Sequence, residues 1–136
     1  MDPLSASATL GMKVTQQLFS LVSAFPGPTS RDIRTLATEC AQTVEIVAAF
    51  SSLSADYGSL GTSSTEETLL SLVHQYIIFF ERLQERNREL ELAPGNMKVK
   101  IAKVYNKSIV AELRDVLASL KAKLMVVMSI FQLRSL

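Results

Sequence analysis

Apolar residues recur along this chain in long stripes at helical spacing, interrupted three times. The breaks are Pro26-Gly27-Pro28, the Gly/Ser-rich run Tyr57–Ser64, and Ala93-Pro94-Gly95-Asn96. Between them Gly and Pro are almost absent. Only Lys98-Val99-Lys100-Ile101 alternates like a strand, and it is too short and has no partner. The first stripe predicts a helix over 3–24, with Asp2 as its cap and Pro3 in the first position, where a missing N–H costs nothing. At about 100° per residue, Leu4, Leu10, Gly11, Val14, Leu18, Leu21, Val22 and Phe25 share one arc, flanked by Met12 and Phe19. The opposite face (Ser5, Thr9, Lys13, Gln16, Gln17, Ser20, Ser23) carries one charge.

A second helix is predicted over 31–55, starting after Thr29 or Ser30. Its stripe is Ile33, Leu36, Ala37, Cys40, Val44, Val47 and Ala48, while Ile46, Phe50 and Leu53 drift toward another neighbour. The third, over 65–92, opens on two overlapping capping boxes, Ser63-x-x-Glu66 and Ser64-x-x-Glu67. Leu69, Leu72, Val73, Tyr76, Ile77, Phe80, Leu83 and Leu90 form its stripe. Ile78 points away, to solvent or an interface. A short helical turn follows at Met97–Val104, and a last helix runs over 107–132. Its stripe is Ile109, Leu113, Val116, Leu117, Leu120, Leu124, Val127 and Phe131. Beyond Lys123 this helix is apolar on every side, a pattern that needs cover. Four helices of roughly 30–40 Å joined by short loops predict an all-α, up-down four-helix bundle, with a short extra helix before the last. Residues 1–136 then form one domain.

Composition narrows the function. Fourteen basic residues against thirteen acidic ones leave a net charge of +1, far from the basic balance of a nucleic-acid binder. The lone Cys40 makes no internal disulfide, and with the lone His74 it makes no zinc site. His74 reads as a helical surface residue and Cys40 as a small buried hydrophobe. The carboxylates Glu81, Glu85 and Glu89 stand at i,i+4 spacing, but interleaved arginines make them a solvated ion-pair face. No nucleophile–base pair, phosphate loop or dinucleotide fingerprint occurs, so no enzyme, cofactor or metal is expected. No continuous apolar run reaches about 18 residues, so no transmembrane helix is expected. The start lacks both a signal-peptide pattern and the glycine for myristoylation. The expected location is cytoplasmic or nuclear.

The opening Met1-Asp2-Pro3-Leu4-Ser5-Ala6-Ser7-Ala8 resembles the N-terminal domains of fungal STAND and NOD-like receptor proteins. So do Pro28 followed by Ile33-Arg34-Thr35-Leu36 and Glu39, and the basic Lys98–Val104 segment before Leu113, Val116, Leu117, Leu120, Lys121 and Leu124. The resemblance spans the chain and implies a HeLo-like helical bundle. The function it implies is an N-terminal signalling or effector domain that self-associates and engages membranes in regulated cell death or incompatibility, with a downstream module in the parent protein. The nucleotide-binding loop and repeats of a complete receptor are missing from this sequence.

Three surfaces follow as candidates. Leu4, Leu10, Val14, Leu18, Phe19, Leu21 and Phe25 are membrane candidates, because their arc of about 200° exceeds one bundle seam and resembles an interfacial helix. Lys98, Lys100, Lys103 and Lys107 are candidates for anionic lipid. Ile78, Met125, Val126, Ile130 and Leu133 are candidates for an interface with a second copy or with the downstream module. A scaffolding or dimerisation domain with no lipid role is the alternative, and a pocket for a fatty acyl ligand is a third option.

Overall fold

The computed structural model describes residues 3–57 and 63–134. Five α-helices make up the fold: α1 (Pro3–Ala24), α2 (Pro28–Tyr57), α3 (Ser63–Leu92), α4 (Met97–Val104) and α5 (Lys107–Arg134). Their ends follow local chemistry. α1 closes before Pro26, with the Phe25 N–H still bonded to Leu21 O at 3.0 Å. α2 begins three residues earlier than predicted, because Pro28 occupies the first helical position instead of ending a linker. Gly27 caps it: the Ser30 N–H donates to Gly27 O, and the Gly27 N–H donates to Ser30 Oγ, each at 3.1 Å. α3 starts at Ser63, at the edge of the described residues, where the two capping boxes are expected. Gly95, at φ +114°, turns the chain from α3 into α4. Asn96 Oδ1 then accepts from the Lys98 N–H at 2.8 Å, and Asn106 Oδ1 accepts from the Ile109 N–H at 3.0 Å to start α5.

Cross-links fix the arrangement. The Ser5 and Ser51 hydroxyls meet at 3.3 Å, so the start of α1 lies by the end of α2 and the two run antiparallel. Gly11 lies against Tyr76, and Gln17 bonds Asn87 at 2.9 Å, so α1 and α3 run side by side in the same direction. Glu39 with Arg114, Gln42 with Lys121 and Phe50 with Phe131 set α2 and α5 parallel in the same way. The main helix contacts are α1 with α2 and α3, α5 with α2 and α3, and α4 with α3. The ring order is therefore α1–α2–α5–α3. In a bundle where each helix packs on the next in sequence, α2 would lie beside α3; here they sit across the diagonal.

Val14, Leu18, Leu36, Phe50, Tyr76, Phe80, Leu83, Leu117 and Leu124 fill the centre. Phe50 and Phe131 pack edge to face at 5.7 Å, closing the α2–α5 seam. Two details depart from the expected stripes. Val116 is exposed and Val110 buried in its place, because the inward line of α5 is Val110, Leu117, Leu120, Leu124, Val127 and Phe131. Phe79 is buried beside Phe80, since α3 presents one flank to α1 and the other to α5.

Among the described residues one helix is long and apolar enough to cross a membrane by length and composition, although no continuous apolar run is: α5, over Lys107–Leu133. Its stretch Val116–Leu133 carries two charges, Lys121 and Lys123. In this fold the inner side of that stretch is bundle core.

Candidate functional site

The apolar arc of α1 is inside the bundle. Val14 and Leu18 are 0% exposed, and Leu4 and Val22 are buried. Leu10, Leu21 and Phe25 are half-buried against the core, leaving Phe19 and Met12 at the rim. The arc does exceed one seam, but the fold conceals most of it. α1 contacts two helices, so it has two seams to fill, and a broad arc is what two seams require. As membrane contacts, these residues would first have to leave the core.

The α1–α3 seam also carries buried polar groups that no apolar pattern reveals. Ser7 and Thr15 are buried, each returning its hydroxyl to the carbonyl four residues back: Pro3 O at 2.6 Å and Gly11 O at 2.7 Å. Asn87 is buried at the junction of three elements. Its amide donates to Gln17 Oε1 at 2.9 Å, while its Oδ1 accepts from the Tyr105 hydroxyl. Gly11 lets α3 approach: a Cβ there would lie 1.9 Å from the Tyr76 hydroxyl and 2.7 Å from Val44 Cγ2. Among the described residues, that buried Tyr76 hydroxyl has no hydrogen-bond partner. Burial pushes the Tyr76 phenol well above its ordinary range, with the Cys40 thiol adding to the shift. Burial raises Tyr105 and Cys40 in the same way.

Sequence-predicted chemical groups are dispersed. His74 is exposed on α3, and Cys40 is buried on α2. Glu81, Glu85 and Glu89 are exposed, and Glu85 pairs with Arg88 at 3.3 Å. Among the described residues, no three His, Cys, Asp or Glu side chains gather as a metal site. The open grooves lie between helices, one along α2–α5 (Arg34, Gln42, Lys121) and one along α3–α5 (Arg82, Glu112, Val116). Arg114 clamps Glu39 in the first region, its Nη2 to Oε1 at 2.9 Å, and this bond raises the guanidinium further above its ordinary value.

Two surfaces remain that expose large apolar side chains together. On the outer side of α5, Met125, Val126 (61% exposed), Ile130 and Leu133 (70%) stand in the open, with small Ser119 and Ala122 on the same line. At the α3–α4 corner, Leu92 and Val99 protrude beside Lys98, Lys103 and Lys107, all exposed, whereas Lys100 is half-buried. Ile78 is half-buried and joins neither surface. Leu92 was not a sequence candidate. Its exposure follows from the helical period, which sets it about 160–180° round α3 from the buried Leu83 and Leu90.

The molecule is thus an all-α bundle with a closed core and two exposed apolar patches. Compared with models of known families, with curated proteins and with solved structures, the chain finds no match.

Proposed function

We propose that this chain is a non-enzymatic interaction module that associates with further copies of itself through the outer face of α5. In this reading it serves as an effector-type domain of the fungal cell-death class it resembles, and its assembly engages membranes. The supporting observation is the exposed cluster Met125, Val126, Ile130 and Leu133 on a helix whose other side is core. A patch of this kind is worth covering, since burying one Leu- or Ile-sized side chain contributes about 1.5–3 kcal/mol. Its extent sets the strength. From Ser119 to Leu133 is about 21 Å of helix at 1.5 Å per residue; a face about 10 Å wide over that length covers roughly 200 Å², well short of the ~800 Å² per partner of a standard interface. Association is therefore weak and concentration-dependent, which suits a module that acts when its parent proteins are clustered.

Light scattering across a concentration series up to about 100 µM tests this, a range set by so small an interface. The mean mass should climb with concentration for the native chain and stay monomeric for Val126→Lys, with identical helical circular dichroism. A native chain that remains monomeric throughout, or a Val126→Lys variant that associates equally well, contradicts it.

A further inference from the structure

We propose that the α3–α4 corner is a docking surface for an anionic phospholipid membrane, with Leu92 and Val99 entering the headgroup layer and Lys98, Lys103 and Lys107 meeting its phosphates. This rests on the membrane half of the reading above, but moves the contact from α1, which is core, to a surface already exposed.

The corner combines two independent features. Residues 92–107 hold four lysines and no acid in a chain whose net charge is only +1. Within that positive field stand two of the most exposed large apolar side chains of the molecule, Leu92 at 77% and Val99 at 63%. Cations alone suit any polyanion; cations around a protruding apolar pair suit a surface that is anionic outside and greasy beneath. The lysine stems can lie along that greasy layer while their ammonium groups stay at the phosphates.

The wedge is rigid. Lys100 is spent on structure, donating through Nζ to Ala93 O at 2.5 Å, and Asn96 caps α4. Ile101 and Tyr105 are buried, and Arg86 donates to Val104 O at 3.4 Å. A preformed wedge loses little conformational freedom on docking. Two exposed acids of α3, Glu85 and Glu89, line one groove with Leu92, Val99 and Lys103, and Glu85 is paired with Arg88. Glu91, the neighbour of Leu92, is exposed as well.

Nucleic acid fits less well. Tyr105, the sole aromatic residue in the segment, is 0% exposed, so no ring is offered for base stacking. The α5 patch is distant. Val126 lies nineteen residues beyond Lys107 on one helix, about 28 Å away at 1.5 Å per residue, so the two surfaces do not overlap.

The test is co-sedimentation of the whole chain with phosphatidylcholine vesicles, with and without about 30 mol % phosphatidylserine, the anionic fraction supplying the surface potential. Binding should require phosphatidylserine and fall as salt rises. Lys98→Gln/Lys103→Gln should weaken it about 25-fold, at roughly fivefold per lysine. Leu92→Ser/Val99→Ser should weaken it at least tenfold, and Val126→Lys should leave binding of the single copy unchanged. Circular dichroism should be the same for all. Absent binding by the native chain, equal binding to both vesicle types, or binding that survives either double substitution overturns the proposal. Sensitivity to the lysines but not to Leu92 and Val99 also overturns it, by making the corner a general polyanion site. The two readings fail separately. A monomeric native chain that still binds these vesicles refutes the α5 interface alone, and an associating chain indifferent to them refutes the corner alone.

Discussion

At the scale of single residues, Gly11 and Tyr76 control how closely α1 and α3 pack. Gly11→Ala places a methyl group 1.9 Å from the Tyr76 hydroxyl and against Val44, so it should destabilise the fold by about 1–3 kcal/mol in urea unfolding. Tyr76→Phe removes a buried hydroxyl that has no partner among the described residues, so alone it should be neutral or stabilising, and in the Gly11→Ala background it should recover part of the loss. The same buried groups set an alkaline limit. Cys40, Tyr76 and Tyr105 have folded pKa values raised above their ordinary 9.0, 10.0 and 10.0, chiefly by burial. Above those ordinary values the unfolded chain releases protons that the folded chain keeps. Stability is then complete below about pH 8.5 and falls as pH rises, beginning with the thiol and steepening near the phenols. Urea midpoints measured from pH 7 to 11 should show that decline, and Cys40→Ala should remove its first step. A flat profile contradicts the burial of these groups. None of the three was legible as a polar problem in the sequence, where Cys40 and Tyr76 read as members of apolar stripes.

At the scale of elements, the stripes and breaks located all five helices, with α2 starting at Pro28 and α3 at Ser63, two or three residues before the predicted positions. Helical period and proline placement are local properties, and a sequence carries them directly. Which helix neighbours which is not local. The pairing of α1 with α3, and of α2 with α5, depends on Gly11 under Tyr76, on Gln17 with Asn87, and on Phe50 against Phe131, contacts between residues far apart in the chain. The width of the α1 arc was visible, but its meaning was not: two seams, not one, account for it. Asn87 is the element-scale test. It ties α1 to the α4–α5 link through Gln17 and Tyr105, so Asn87→Ala should cost about 1–3 kcal/mol. A double-mutant cycle with Tyr105→Phe should give a clear coupling energy, because each group is the other's buried partner. Purely additive losses would mean the two side chains do not act together.

For the whole molecule, the lysines of 98–107 and the apolar end of α5 were readable as candidate surfaces, because both break the ordinary amphipathic pattern. Leu92 stands out only when its angle is counted, since the helical period sets it across α3 from Leu83 and Leu90. The fold divides the apolar surface into a closed core that includes α1 and an open patch on α5, and this division is the central claim. Hydrogen exchange read by mass spectrometry along a concentration series tests it most directly. Amides around Val14 and Leu18 should be strongly protected at every concentration, and those of residues 125–133 should gain protection as concentration rises. Rapid exchange throughout α1 in the monomer, or a 125–133 segment whose exchange is the same at all concentrations, would contradict it.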